Sequence, residues 1–498
     1  MSSAHAPRGI VAAGHPVTAE VGADVLRAGG NAVDAAIAAV LASWVCEPLL
    51  TGPGAGGYML VAGGGEPPTL LDFFVAAPGA GIDPADHGSL VPVEVSFGDA
   101  VQSFNSGAPS CGVPGSPAGL AAAAARWGTL PLADLAAPAA RLAREGVPLH
   151  AMQAYVFEIL EGILLMTDGA RAEFAPAGRP LREGEPFRSP VLAETIERLG
   201  VEGPAPFYTG DIAAAMVEHV GGSGGLLTAA DLASYQPIER EPARATYRGR
   251  SVATNPPPSA GGILLALTLA RLDARTAGPP EPADLVAVME EAQDLRTPAF
   301  VDGLAEPEFL ERFLAAHLGS TTHVAVLDGD GRACSVTATN GEGSGIVVPE
   351  TAIHVNNIMG ETDLNPLGFF VTAPGRRMPS MMAPTVVLGA DGAVELALGS
   401  AGSNRIRSAI LQVVVGVVDH GLDAAAAIRA PRLHVEGGIV YAEPGIDMAA
   451  LECSGREVVR FRAPNLFFGG TQAVERDPRT GALSGGGDPR RGGAAVFA

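Results

Sequence analysis

Apolar residues recur along this chain in two rhythms, and the change from one to the other falls near residue 320. Before it, Ala- and Leu-dense segments at helical spacing predict helices over 119–126, 132–145, 190–199 and 263–272, punctuated by Gly and Pro clusters. Continuous apolar runs at 58–62 and 70–75 predict strands covered on both faces, since a strand with one wet face would alternate. The run 35–46 is too short to span a bilayer and predicts a buried helix. From Thr321 onward strands take over: a hairpin of 324–328 and 333–339 around a glycine turn, then 346–348, 352–355, and a second hairpin over 385–399 turning at Asp391-Gly392. An amphipathic helix over 405–419 follows, and no internal repeat is visible.

The 498 residues suffice for two or three ordinary domains or one large layered unit. A formal net charge of −22, from 32 basic and 54 acidic residues, argues against nucleic acid or an anionic membrane as partner and favours a small molecule. Cys46, Cys111, Cys334 and Cys453 lack paired spacing, so buried thiols are expected rather than a disulfide framework or a zinc site. The opening Met-Ser-Ser-Ala-His-Ala-Pro has neither the apolar core nor the basic flank of an export signal, from which a cytoplasmic protein is expected.

Candidate chemistry centres on Ser320-Thr321-Thr322-His323. Clustered hydroxyl residues before a strand are ordinary turn chemistry when taken alone. Here Thr321 starts the first strand of the hairpin and Thr339 ends the second, so antiparallel pairing brings the two hydroxyls close. Were the chain cut between Ser320 and Thr321, the new α-amino group would serve as base for the Thr321 hydroxyl, combining nucleophile and base in one residue. Gly52-Pro-Gly54-Ala-Gly56-Gly57 satisfies a Gly-x-Gly-x-x-Gly pattern, but it leads into a strand rather than a helix, which points to close backbone packing and not to a dinucleotide.

With these residues in place, the sequence resembles the γ-glutamyltransferase (γ-glutamyltranspeptidase) family of N-terminal nucleophile hydrolases nearly end to end. The matching blocks include Gly29-Gly-Asn-Ala-Val-Asp-Ala-Ala36, Gly52-Pro-Gly-Ala-Gly-Gly57, Pro256-Pro-Pro-Ser-Ala-Gly-Gly262, Thr321-Thr-His323, Asn356-Asn357 and Gly399-Ser-Ala-Gly402. The resemblance implies an α+β fold, a four-layer αββα sandwich of two mainly antiparallel sheets between helix layers. It implies a precursor cut at Ser320/Thr321 into a large subunit (1–320) and a small one (321–498) that share one core. It implies no cofactor and no metal, and it leaves a homo-oligomer open. Thr321 matches the family's nucleophile, Thr339 the Thr that holds it, and Gly402-Ser403 the Gly-Gly pair whose N–H groups form the oxyanion hole.

The substrate pocket departs from the family pattern. Phe74 stands where γ-glutamyl-specific relatives place an Arg for the α-carboxylate, Met381 replaces the second of two Ser residues, and Ile358 replaces a Gln or Glu that holds the α-amino group. Asn340, Glu361 and Ser380 are retained or near-retained. Loss of a guanidinium fork leaves a buried carboxylate without its partner, so an acyl group other than typical γ-glutamyl is expected. The short stretch between Glu361 and Ser380 predicts a cleft without a long lid and open to bulky substrates, with Arg376 and Arg377 nearby either meeting an acid group or, as is usual for charged loop residues, solvated. The alternatives are a true γ-glutamyltransferase or glutathione hydrolase, placing the chain in glutathione metabolism; a natural-product or antibiotic acylase or C–C hydrolase; and an unprocessed pseudoenzyme with a binding role.

Overall fold

Strand β1, Gly9–Ala13, sends Ile10 and Ala12 into one apolar core and Val11 and Ala13 into another. Period-two alternation has this effect on any strand buried on both faces, and it builds the architecture here. The computed structural model describes residues 7–96, 101–294, 321–365, 368–447, 451 and 456–498. A seven-stranded sheet contains β1, β2 (Gly56–Gly63), β3 (Glu66–Phe73), β4 (Ile238–Arg240), β7 (Thr322–Asp328), β8 (Ala333–Thr339) and β13 (Ala494–Phe497), in the order β13-β1-β7-β8-β2-β3-β4. A six-stranded sheet contains β5 (Ala243–Tyr247), β6 (Arg250–Thr254), β9 (Thr385–Leu388), β10 (Val394–Ala401), β11 (Gly470–Arg476) and β12 (Leu483–Gly487), in the order β12-β11-β10-β9-β6-β5. All the neighbours in both sheets are antiparallel.

The faces assign the layers. Tyr58, Leu60, Ala325, Leu327 and Ala333 point from the first sheet into the core it shares with Val386, Val387 and Leu398 of the second. Met59, Val61, Val324, Val326 and Val336 point the other way, onto helices α1 (Pro16–Arg27) and α2 (Ala32–Cys46). Every residue of α2 is buried, as its apolar run predicts, and its start is fixed by a capping box between Asn31 and Asp34. On the far side, α4 (Ala260–Arg275), α5 (Arg405–Val418) and α6 (Ala424–Arg429) cover the second sheet. The result is the expected helix–sheet–sheet–helix sandwich, with residues from both sides of position 320 in each sheet.

Two details of the sequence reading change. Strand β3 ends at Phe73 rather than Val75, because the Phe74 amide turns to the Asp72 carboxylate (2.9 Å) and its carbonyl accepts the Tyr235 hydroxyl (2.8 Å). The strands expected at 346–348 and 352–355 shrink to the pairs Val347–Val348 and Ile353–His354. The glycine-rich run does serve backbone packing: a Cβ on Gly57 would stand 2.4 Å from the Thr337 carbonyl oxygen. Cys46, Cys111 and Cys334 are buried free thiols; Cys453 and Ser320 lie outside the described residues.

Candidate active site

Strands β7 and β8 pair with Thr322 opposite Ala338, so one further step places Thr321 opposite Thr339. Thr339 in turn lies opposite Gly56 of β2, and Gly57 lies opposite Phe73 of β3. The row Thr321, Thr339, Gly56, Phe74 therefore crosses three interstrand spacings, about 14 Å. By the same alternation that points Ala325 and Leu327 between the sheets, Thr321 and Thr339 face the second sheet. Both are buried, and the Thr339 hydroxyl accepts the Gly341 amide at 2.9 Å, which fixes its orientation.

Thr322 points the opposite way, to the end of α2. Its hydroxyl lies 3.0 Å from both carboxylate oxygens of Glu47, the C-cap residue of that helix. Burial pushes the Glu47 carboxyl up to about 7, against the opposing pull of the Thr322 hydroxyl and of Arg491. His323 returns to the inter-sheet face, where its ring packs over Gly399 of β10 and bonds the Thr337 hydroxyl at 2.8 Å. Burial lowers its pKa to about 3, so the ring is neutral and structural.

Across from Thr321, β10 ends at Ala401 and the chain turns through Gly402 and Ser403, with φ of +108° and +61°, into α5. Gly402 faces the Gly469 backbone, where a Cβ would come within 2.7 Å. Ala401, Thr321, Thr322, Glu47, Gln472 and Arg491 line one pocket, together with Met152, Gln153 and Val156 of α3 (Ala151–Ile159). Glu47, Gln472 and Arg491 were not singled out from the sequence. The signal for Glu47 was a lone acid at the end of a helix that is otherwise almost wholly apolar after Asp34; nothing local marked the other two, because the C-terminal segment reaches the pocket only through the fold.

The residues matching the family's substrate positions form two groups. Asn340 and Glu361 lie with Asn357 around Gly341, where a Cβ would meet Asn357 at 1.9 Å and Glu361 at 2.4 Å, next to Thr339. The Asn340 side-chain amide donates to the His354 carbonyl at 3.1 Å, so half of that group is committed to the scaffold. Phe74 and Ile358 lie wholly buried in the inter-sheet core with Met378 and Met382, and Phe74 stacks on Tyr58 at 5.4 Å. Ser380 and Met381 are also buried, the Ser380 hydroxyl accepting the Met382 amide at 3.0 Å.

On this side part of the stretch between Glu361 and Ser380 packs against the body of the protein. Residues 375–378 run as a strap along Val75–Ala77, joined by Gly375 N to Ala77 O, Ala77 N to Arg376 O and Met378 N to Val75 O, at 2.8–2.9 Å. Phe370 stacks on His87 at 3.9 Å. Arg376 is exposed as expected, but Arg377 is not solvated: it pairs with the buried Asp72 at 3.2 Å and lies 4.3 Å over the Tyr235 ring. Its second contact, the Gln236 carbonyl, locks the strap down.

The pattern of the Gamma-glutamyltranspeptidase family matches residues 18–311 and 305–498. The chain belongs to the gamma-glutamyltranspeptidase family. It is 31% identical to the glutathione hydrolase proenzyme of Bacillus subtilis, over 98% of this chain and 91% of that one. It is 32% identical to the acylase ACY 1 proenzyme of a Pseudomonas species, over 98% and 93%. The cephalosporin acylase of Bacillus halodurans superposes with a TM-score of 0.82 at 29% identity, covering 99% of this chain and 96% of that one. As a member of this family the chain is an enzyme of amide hydrolysis or acyl transfer, with an N-terminal-nucleophile hydrolase fold.

Proposed function

We propose that the chain is a self-processing amidohydrolase or acyltransferase whose nucleophile is Thr321 and whose preferred acyl group is not γ-glutamyl. Cleavage before Thr321 frees its α-amino group, which takes the hydroxyl proton as Oγ attacks the substrate carbonyl. Thr339 holds the attacking oxygen. The backbone N–H groups of Gly402 and Ser403 receive the developing oxyanion, a role that needs no particular side chain. The amine departs with the proton, leaving an ester on Thr321 that water or a second amine opens, which restores the free threonine. The observation that carries this reading is the strand register that brings Thr321 opposite Thr339, with Thr321 lining a pocket that Ala401, the residue before the Gly402 turn, also lines.

The acyl preference rests on Phe74, Ile358 and Met381. An α-carboxylate brought to Phe74 would enter an apolar core, at a cost of several kcal/mol without a cationic partner. The guanidinium beside it, Arg377, is already engaged by Asp72, which it shares with Arg240. A second reading, glutathione hydrolysis, is supported by the likeness to the Bacillus subtilis enzyme and by Glu361, which stays beside Asn340. The test is a panel of anilides on purified protein, with Thr321→Ala as control. The control should remain a single chain and inactive, and γ-glutamyl anilide should be turned over more slowly than the best of the uncharged or differently charged acyl anilides. If γ-glutamyl anilide is the best substrate, the second reading stands instead.

A further inference from the structure

Arg491 enters the Thr321 pocket from the side opposite Phe74. It ends the short turn Pro489–Arg491 that leads into β13, and β13 and β3 flank β7 on opposite sides in the first sheet. The stem crosses Gly470, where a Cβ would stand 2.3 Å from Arg491 Cδ, and the guanidinium reaches the Gly402 turn, where a Cβ would stand 3.4 Å from Nη2. The turn is rigidly held: Asp488 accepts Arg432 at 2.6 Å, the Thr471 amide at 3.0 Å and Arg490 at 3.2 Å, while Arg490 also pairs with Glu443, all of them buried.

Asp488, Arg432, Arg490 and Glu443 pair directly with one another, whereas Arg491 feels Asp488, Glu47, Glu342 and Arg405 only at longer range. Among the described residues no carboxylate lies within 4.0 Å of its guanidinium, and its buried Nε has no hydrogen-bond partner. The acid that shares the pocket, Glu47, is held largely neutral below pH 7 by its burial and offsets the cation only as pH rises through about 7. Burial lowers the Arg491 pKa only to about 10, so it stays charged at neutral pH. A desolvated guanidinium with no carboxylate in contact is costly, and an anion that reaches it from a ligand recovers that cost through charge-assisted bonds.

We propose that Arg491 is the specificity-determining cation of this enzyme, taking a carboxylate carried by the substrate close to the scissile amide. This rests on the assignment of Thr321 as nucleophile. The carboxylate is then on the opposite side of Thr321 from the position where a γ-glutamyl group places its own, which reconciles the apolar Phe74 with a charged substrate. The carboxylate can belong to the acyl part or to the amine part, and the two are separable.

The test compares kcat/KM of the purified, processed enzyme for three amides: pentanoyl anilide, its counterpart with a carboxylate at the far end of the acyl chain, and pentanoyl 4-aminobenzoate. One charged member should exceed the neutral anilide by tenfold or more, and which one tells whether the acyl or the amine side meets Arg491. In Arg491→Gln that charged-to-neutral ratio should fall at least tenfold, and Arg491→Lys, which keeps a stem over Gly470 and a charge, should recover part of it. A wild-type enzyme with no preference for either carboxylate overturns the proposal even if the variants do not fold, and so does an unchanged ratio in Arg491→Gln. Turnover of the neutral anilide, abolished in Thr321→Ala, keeps the nucleophile assignment standing in either event.

Discussion

The hydroxyl of Thr322 lies 3.0 Å from both oxygens of the buried Glu47, one residue from the proposed nucleophile. The strand thus divides its two threonines: Thr321 toward the second sheet and the proposed chemistry, Thr322 toward a carboxyl that anchors the start of β7 to the end of α2.

That carboxyl carries a pH signature. Its folded pKa of about 7 is above the ordinary carboxylate value near ~4.3, so between those two pH values the native state keeps a proton the unfolded chain has released. Stability from this group is complete below ~4.3 and is lost as pH rises through about 7. In the single-chain Thr321→Ala background, Glu47→Gln should therefore gain about 2–4 kcal/mol relative to its parent between pH 5 and pH 8 in urea unfolding. An equal difference at both pH values would show that Glu47 is not a neutral buried acid.

Ser403 has φ +61°, in the left-handed region where side chains other than Gly are strained. Replacement by Gly should raise stability by up to about 1 kcal/mol, the relief of strain being partly offset by the freer unfolded chain. Because the turn keeps its N–H, kcat should stay within about threefold of the parent. A tenfold loss of kcat in Ser403→Gly would mean that the serine side chain, not the backbone, serves the reaction.

Phe74→Arg does not simply restore a γ-glutamyl pocket. It would place a guanidinium in the inter-sheet core beside Tyr58, close to Arg240 and Arg377, which already share Asp72. The expected outcome is a loss of more than about 3 kcal/mol in unfolding free energy with no gain on γ-glutamyl anilide. A stable variant with a tenfold gain would place the family's carboxylate site at this position after all.

The hairpin around residue 330, the buried α2 and the sandwich were readable because they rest on local periodicity, turn glycines and family blocks. Thr321 facing Thr339 followed from a strand register that the turn length sets. The environment of Phe74 did not: its position in the chain is readable, but whether it lines a cleft or fills a core depends on the strap at 375–378, tied down by Asp72 and Arg377 from distant segments. Arg491 was unreadable for the same reason, its reach into the pocket depending on Gly402 and Gly470 and on the buried Arg432, Glu443, Asp488 and Arg490 set.

Trapping the acyl-enzyme decides whether Thr321 is what it is proposed to be. Purified protein is quenched in acid during turnover of its best anilide, and the covalent acyl group is located by mass spectrometry. The expected species is a small chain that begins Thr-Thr-His-Val and carries the acyl group on Thr321. An uncut chain that still turns over the amide, or an acyl group found on any other residue, would contradict it, because an internal threonine has no α-amino group to act as its base.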